Sequence, residues 1–166
     1  MITSTANTQV KELIKLMKKS RAREEEGVFL VEGPRMVREL VEDPAWQGRI
    51  DRIYLAQNYD RRYPEESEML RKKLRTEILA DPVFAHVSDT KTPQGILAVV
   101  KRKNYCMADL LGGETRRAHV LVLDCLQDPG NLGTIFRTAE AAGATGILMS
   151  RDCVDIYNPK VIRSTM

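Results

Sequence analysis

An apolar run, an acidic residue, a Pro-Gly turn and a helix follow one another within Leu121–Gly143, and this order constrains the fold more strongly than any other stretch. The apolar residues at 120–123 are typical of a buried parallel strand. Gly143 follows the last helical turn, where glycine often ends a helix. A second short run, Ile147–Met149, completes a β-α-β unit. The stretch therefore predicts an α/β fold whose polar turn lies at the carboxyl end of a parallel strand, where such sheets bind ligands.

Before this unit, short apolar strands and helical patterns alternate, which predicts a small mixed α/β domain over residues 1–103. The composition then changes to glycine and charged residues, so we predict a linker at 104–116 and a second domain at 117–166. Two strands in about fifty residues do not cover a parallel sheet on both faces. We therefore expect residues 117–166 to form the front part of a larger domain.

The composition excludes some classes of protein and site. The net charge of +3 says little about partners, although lysine and arginine are concentrated near the N-terminus. No apolar run reaches the roughly 18 residues of a membrane span and the N-terminus is polar, so we expect a cytoplasmic protein without a membrane partner. The three cysteines lack metal-ligand spacing, and His86 and His119 stand alone. We therefore expect free thiols, structural histidines and no metal site.

Residues 4–20 have the pattern of a basic amphipathic helix that begins after Ser4 or Asn7. Its apolar residues recur at helical spacing and would face a core, whereas its lysines lie on the other side. Contact with phosphates and a solvated face partly neutralised by Glu12 and Glu24–Glu26 are both consistent with this charge, which does not decide between them. The candidate phosphate contacts are Lys11, Lys15, Lys18, Arg21, Arg23, Arg35 and Lys91.

The run Glu32–Arg35 joins a short apolar strand to a helical pattern, and Pro34 suits the first turn of a helix. A helix N-terminus after a glycine offers backbone N–H groups to an anion, and Arg35 adds a guanidinium that matches phosphate geometry. Taken alone, an ordinary β-to-α turn explains this motif slightly better.

The turn Asp128–Asn131 brings Asn131 to the end of the predicted strand. Its spacing is neither that of a dinucleotide-binding loop nor that of a P-loop, so neither ligand follows from it. Asn131 can donate and accept hydrogen bonds, and Arg137 is a permanent cation that can bind a phosphate. The alternatives are structural: a helix cap for Asn131 and a salt bridge between Arg137 and Glu140. Physical chemistry alone slightly favours these roles over ligand binding.

Four sequence motifs resemble those of one family. The run LDCLQDPGNLGTIFRTAEAAG resembles the first signature motif of the SpoU (TrmH-type) RNA ribose 2′-O-methyltransferases. The runs FLVEGPRMV and TPQGILAVV resemble the start and the end of that family's N-terminal substrate-binding domain, which is similar to ribosomal protein L30e. The tail DIYNPKVIRSTM resembles the beginning of the second motif, so the resemblance covers nearly the whole chain.

The resemblance implies an N-terminal L30e-like α/β domain followed by the first part of an α/β-knot (SPOUT) domain with a parallel sheet. It implies a homodimeric enzyme that transfers a methyl group from S-adenosylmethionine to a ribose 2′-hydroxyl of rRNA or tRNA. Asn131 and Arg137 match the positions held to act at the ribose, where Arg137 is described as activating the hydroxyl. A guanidinium, with a pKa above about 12, is a poor base, so stabilising the developing alkoxide or the adjacent phosphate is easier to justify.

The chain departs from the family because the glycine-rich stretch and the later Ser- and Asn-containing motif are not present. We expect the cofactor-binding residues to lie beyond Met166. We also expect the 166-residue chain alone neither to bind S-adenosylmethionine normally nor to methylate RNA. Two other interpretations stay open: a non-catalytic L30e-like RNA-binding module, and a small-ligand α/β protein that does not bind RNA.

Overall fold

The structure is a computed structural model that describes residues 1–112 and 117–166. These residues form two compact units, Met1–Arg102 and Lys103–Met166. Part of the linker predicted at 104–116 therefore belongs to the second unit, and residues 113–116 lie outside the described residues.

A four-stranded mixed sheet lies at the centre of the first unit, with the strand order β1-β4-β2-β3. The strands are β1 Val28–Glu32, β2 Ile50–Ala56, β3 Thr76–Leu79 and β4 Ile96–Lys101. β4 runs antiparallel to β1 and β2, whereas β2 and β3 are parallel. The residues of β4 from Ile96 to Val100 are all buried, which explains why this strand has a continuous apolar sequence instead of an alternating one.

Helices pack against this sheet, and most of them begin at a proline or after a capping side chain. They are α1 Thr8–Lys18, α2 Ser20–Glu26, α3 Pro34–Glu42, α4 Pro44–Gln47, α5 Gln57–Arg62, α6 Pro64–Lys73 and α7 Asp81–Val87. Proline in the first turn loses no hydrogen bond and has a helical φ, which favours the starts of α3, α4, α6 and α7. At the start of α1, the side-chain oxygen of Asn7 accepts the N–H of Gln9 at 2.9 Å.

The helix predicted over residues 4–20 corresponds to α1, which ends at Lys18, and Lys19 adopts an extended conformation before α2 begins at Ser20. Arg23 stabilises this corner, because its Nη1 donates to Leu16 O at 2.6 Å and to Met17 O at 3.3 Å. Both carbonyls lie in the last turn of α1, where helix carbonyls lack an intrahelical partner. Arg23 is only 3% exposed, and this burial contradicts its predicted role as an RNA contact.

In the second unit, two parallel strands are joined by a helix, as the β-α-β pattern predicts. Its elements are α8 Met107–Leu110, β5 Val120–Leu123, α9 Pro129–Ala141, β6 Gly146–Met149 and α10 Pro159–Ser164. Leu132 of α9 and Val161 of α10 are fully buried, so the core of this unit includes the contact between these two helices. The mixed α/β architecture with parallel pairing confirms the predicted fold class.

The sheet of the second unit has an exposed apolar face. Val122 and Leu148 are paired across β5 and β6, and their exposed fractions are 71% and 42%. Complete burial of such a side chain stabilises a fold by roughly 1.5–3 kcal/mol, which these two residues do not obtain here. The described part of the second unit therefore does not cover both faces of its sheet.

The remaining predictions from composition concern membranes, metals and thiols. Within the described ranges, no helix combines the length and the apolar character that a membrane span requires. The same residues contain no group of three or more His, Cys, Asp and Glu side chains that could hold a metal ion. Cys106 and Cys125 are exposed free thiols, and Cys153 is a half-buried one.

Candidate functional site

The candidate site begins at the turn between β5 and α9. Asp128 caps α9, because its Oδ1 accepts the N–H of Asn131 at 2.7 Å, and Pro129 occupies the first helical position. Asn131 is therefore the third residue of the helix and not its cap, which removes the simplest structural explanation for this residue. Its side chain is exposed at the carboxyl end of β5, available to a ligand.

A polar face continues from Asn131 along α9. Thr134 Oγ1 donates to Gly130 O at 3.1 Å, and Thr138 Oγ1 donates to Thr134 O at 3.0 Å. Such bonds to the preceding turn are common for helical threonines, and they leave the hydroxyl oxygens able to accept. Arg137 uses this capacity, because its Nη2 donates to Thr134 Oγ1 at 3.3 Å.

Arg137 links the two helices of the second unit. Its Nη1 donates to the carbonyl oxygen of Ser164, the last residue of α10. Carbonyls at a helix C-terminus carry partial negative charge and lack intrahelical partners, so a cation is favoured there. This contact, and not the predicted alternative with Glu140, orients the guanidinium. The side chain remains exposed, and a guanidinium has five N–H donors, so the geometry permits a further anionic contact.

Ser164 also binds the first turn of α9. Its Oγ lies 2.8 Å from Pro129 O and 2.7 Å from Val161 O, so the hydroxyl proton has two acceptors within reach. Gly133 allows this proximity, because a Cβ added there would lie 2.6 Å from the backbone carbonyl carbon of Ser164. Ser164 is not among the site residues predicted from the sequence, although a glycine in the middle of an amphipathic helix indicates a close contact.

The loops that follow β5 and β6 are joined by hydrogen bonds. Cys125 has a left-handed φ of 54°, and its N–H donates to Ser150 Oγ at 3.0 Å. The N–H of Leu126 donates to Cys153 Sγ at 3.3 Å, so this thiol fixes the loop. The Asp124 carboxylate beside Cys125 raises the pKa of that thiol, which therefore lacks the lowered pKa of a nucleophilic cysteine. These contacts position the turn that carries Asn131.

The other candidate residues lie in the first unit, on several elements. Lys11, Lys15 and Lys18 are exposed on α1. Arg21 on α2 is exposed and pairs with Glu25 at 2.7 Å. Exposed ion pairs of this kind contribute little to stability and exchange readily, so Arg21 can still reach a phosphate.

Arg35 and Lys91 lie on segments that meet near the carboxyl end of β1. Arg35 is in the first turn of α3 and pairs with Glu39 at 3.4 Å, with both side chains exposed. Lys91 is exposed in the segment between α7 and β4. Glu32, the last residue of β1, holds that segment, because its carboxylate accepts hydrogen bonds from the hydroxyl groups of Ser88 and Thr90. The structure thus places these two cations at one end of the sheet.

The described residues at the carboxyl end of β5 do not enclose a ligand of the size of S-adenosylmethionine. A site for a ligand of this size buries most of the ligand surface. Asp124, Cys125 and Asp128, at the carboxyl end of β5, are exposed, and so is the apolar face of Val122 and Leu148. We therefore assign no described residue to this cofactor.

Both units match family models, in the order that the sequence motifs predict. Residues 7–98 match the MRM3-like substrate binding domain, and residues 118–166 match the SpoU rRNA Methylase family. These two matches leave out only residues 1–6 and 99–117.

Curated relatives extend the similarity over nearly the whole chain. A Bacillus subtilis protein named 23S rRNA (guanosine(2553)-2′-O)-methyltransferase RlmP is 34% identical over 163 residues, which are 98% of this chain and 59% of the relative. Human mitochondrial rRNA methyltransferase 3 is 32% identical over 158 residues, which are 91% of this chain and 35% of the relative. This chain thus spans little more than half the length of the bacterial relative.

Solved structures with the same fold belong to the same class. The AdoMet-bound rRNA methyltransferase from Sinorhizobium meliloti superposes with a TM-score of 0.75 at 25% identity, over 99% of this chain and 59% of that one. A structure described as an RNA 2′-O ribose methyltransferase superposes with a TM-score of 0.68 at 29% identity. With both family models matched in order, this chain belongs to the SpoU methylase family and carries an MRM3-like substrate-binding domain before its SpoU segment.

Proposed function

We propose that this chain supplies the RNA-binding domain and the ribose-facing half of the active site of an RNA 2′-O-methyltransferase. The observation that carries the proposal is the exposed polar face of α9, where Asn131 and Arg137 lie at the carboxyl end of a parallel strand. The similarity to proteins named as rRNA methyltransferases supports the substrate class, which is rRNA or tRNA. The proposal includes a homodimeric, cytoplasmic enzyme.

The residues of the chain would act on the ribose and its phosphate. S-adenosylmethionine, as a sulfonium, supplies a methyl group that is already activated for transfer. The ribose hydroxyl must become more negative as it reacts, so a nearby fixed cation stabilises the transition state more than the ground state. Arg137 provides that cation and Asn131 provides an amide that can donate or accept.

A second candidate function rests on the contact between Arg137 and Ser164. Because this contact gives Arg137 a structural role within the second unit, the residue does not by itself require catalysis. A non-catalytic RNA-binding module would keep the same contact and the same basic first unit. Only a measurement of methyl transfer separates the two functions.

The decisive experiment places this chain in a complete relative. We would replace the matching region of the Bacillus subtilis protein with residues 1–166 and measure transfer of a labelled methyl group to rRNA and to tRNA. Alkali-resistant linkages would identify the product, because methylation removes the 2′-hydroxyl that attacks the phosphodiester. A folded chimera that binds RNA and S-adenosylmethionine but transfers no methyl group would contradict the enzyme proposal and favour the binding module.

The cofactor side is tested on the 166-residue chain alone. Isothermal titration with S-adenosylmethionine should give no measurable heat of binding, because the described residues at the carboxyl end of β5 do not enclose such a ligand. Binding at micromolar concentration would show that the chain holds more than the ribose-facing half of the site.

A further inference from the structure

A cavity of about 570 Å³ lies at the carboxyl ends of β1 and β2 in the first unit. Its volume is within the range of roughly 300–1,000 Å³ that is typical of small-ligand sites. The lining combines aromatic rings, side-chain amides and one guanidinium. The polar members and the two tyrosines are Asn58, Tyr59, Arg62, Tyr63, Asp81 and Gln94.

Two glycines with positive φ shape this cavity. Gly95 has a φ of 85°, and a Cβ added there would lie 2.8 Å from Tyr59 Cβ. Gly33 has a φ of 115°, and a Cβ added there would lie 3.0 Å from Gln94 Oε1. L-residues rarely adopt such φ values, so glycine serves both the backbone and the space. Any larger residue would displace the side chains that line the cavity.

The aromatic wall is fixed from behind. Tyr59 is 4% exposed, and its hydroxyl donates to Glu66 Oε2 at 3.0 Å. Arg38 binds the same carboxylate with two hydrogen bonds, at 2.7 and 2.9 Å. The ring of Tyr63 lies 4.8 Å from the ring of Tyr59, and Tyr63 is 36% exposed. The exposed ring packs at an interplanar angle of 50° against a buried, hydrogen-bonded one, and this contact restricts its orientation.

The cavity lining contains one cation, Arg62, and one carboxylate, Asp81. The Arg62 guanidinium carbon lies 5.4 Å from the centroid of the Tyr63 ring, within cation–π distance. The acidic member of the lining, Asp81, is engaged, because its Oδ1 accepts the N–H of Asn58 at 2.9 Å. The exposed cations Arg35 and Lys91 lie on adjoining segments. An anionic group next to a planar ring suits this combination.

Glu32 holds the segment that closes one side of the cavity. Its Oε1 accepts hydrogen bonds from Ser88 Oγ at 2.6 Å and from Thr90 Oγ1 at 3.2 Å. Glu32 is 8% exposed, so these bonds are shielded from water and fix residues 88–95 in place. That segment supplies Gln94 to the lining.

We propose that this cavity binds one unpaired nucleotide of the RNA. The base stacks on Tyr63, the amides of Asn58 and Gln94 bind its edge, and Arg62 binds a neighbouring phosphate. Every base has a π-face, and aromatic side chains next to cations are the usual platform for single-stranded RNA. A base inside a duplex is already stacked on both faces and does not enter such a cavity. The inference rests on the proposed function only in taking RNA as the ligand.

The test compares a single strand with a duplex, using the 166-residue chain and fluorescence anisotropy. The probes are a labelled uridine oligonucleotide of about 12 nucleotides and the duplex of the same strand with its adenosine complement. Tyr63→Ala should weaken single-strand binding by roughly 5- to 100-fold, the loss expected for one base–aromatic stack, and leave duplex binding unchanged. Tyr63→Phe keeps the ring and should bind within about twofold of wild type.

Matched controls separate the cavity from its surroundings. Arg62→Ala should weaken single-strand binding and lower the salt slope by about 0.7, whereas Arg61→Ala removes an exposed neighbouring charge outside the lining and should have the smaller effect on affinity. Met69→Ala removes a side chain of similar exposure from α6 and should change nothing. Circular dichroism melting establishes whether each variant is folded. If Tyr63→Ala does not fold, the loss of single-strand binding in Arg62→Ala tests the cavity instead.

Three results would overturn the inference. Folded Tyr63→Ala that binds the single strand as tightly as wild type removes the cavity proposal and leaves RNA binding intact. Equal losses for strand and duplex would show that Tyr63 belongs to a general RNA surface. A wild-type chain that binds neither probe would end both this inference and the RNA-binding part of the proposed function.

Discussion

Gly133 and Ser164 lie in contact where α9 packs against α10, and the space between the two helices is too small for a Cβ atom at position 133. An added Cβ would lie 2.6 Å from both the carbonyl carbon and the Cβ of Ser164. The hydroxyl group of the same serine donates to Pro129 O in the first turn of α9, and its carbonyl oxygen accepts a hydrogen bond from Arg137. The packing of two helices and the orientation of the proposed catalytic arginine thus depend on one close contact.

Gly133→Ala should destabilise the second unit by about 1–3 kcal/mol, the usual cost of overpacking, despite the better helix propensity of alanine. Hydrogen exchange of the α9 amides measures this locally. Gly48→Ala is the control, because its φ is −73° and nothing lies within 4 Å of an added Cβ. The clash includes the Ser164 backbone, so Ser164→Ala should not rescue the variant. Rescue would show that only the hydroxyl was in the way.

The fold could be predicted because its signals are local. The strands at 28–31, 50–56 and 96–100 follow from apolar runs, and the start of α3 follows from Pro34. The break between α1 and α2 could not be predicted, since it depends on Arg23 reaching carbonyls six and seven residues earlier. Charge alone does not distinguish such a buried arginine from an exposed one.

The candidate site could be predicted only in part, for a related reason. Asn131 and Arg137 are close in sequence, and a single helix presents them. Ser164 lies 27 residues from Arg137, and the cavity around Tyr63 combines residues from several separate segments. Proximity that arises from packing leaves no periodic trace in the sequence, apart from glycines such as Gly95.

Arg137→Ala in the chimera should lower methyl transfer by about 10²–10³-fold, the usual loss when one preorganised electrostatic contact to a transition state is removed. Arg137→Lys should recover part of the rate, because the charge remains and the bidentate geometry is lost. Thr134→Val serves as the structural control, since it removes a hydrogen bond to the guanidinium but keeps the charge. A retained rate in folded Arg137→Ala, measured with saturating cofactor and RNA, would exclude Arg137 from catalysis.

Arg23 and Lys15 should respond differently to substitution, although both were predicted RNA contacts. Arg23→Ala leaves buried carbonyls of Leu16 and Met17 without a charged donor and should cost about 1.5–3 kcal/mol of unfolding free energy in urea. Lys15→Ala should leave stability within about 0.5 kcal/mol and weaken RNA binding with a smaller salt slope. The opposite pattern, a stable Arg23→Ala with a reduced salt slope, would restore Arg23 as an RNA contact.

The network of Glu66, Arg38 and Tyr59 should make the stability of the first unit depend on pH at both extremes. The hydrogen bond from Arg38, more than that from Tyr59, lowers the pKa of Glu66 below its ordinary value. A lowered native pKa means that stability is present above the unfolded value of about 4.3 and is lost as the pH falls through the native value. Burial, followed by the bond to Glu66, raises the pKa of Tyr59 to about 12. That contribution is complete below about pH 10 and is lost as the pH rises through 12.

Urea unfolding between pH 2 and 12 tests both limbs of this dependence. Glu66→Gln should be less stable than wild type at neutral pH. It should also lose part of the decrease in stability at acid pH, because the amide that replaces the carboxylate does not titrate. Glu68→Gln is the matched control on the same helix, since Glu68 makes an exposed pair with Lys72 at 2.7 Å, and it should leave the profile close to that of wild type. Tyr59→Phe should flatten the alkaline limb alone. An acid limb that is unchanged in Glu66→Gln would mean that other carboxylates determine it and that the network does not set the acid stability of this unit.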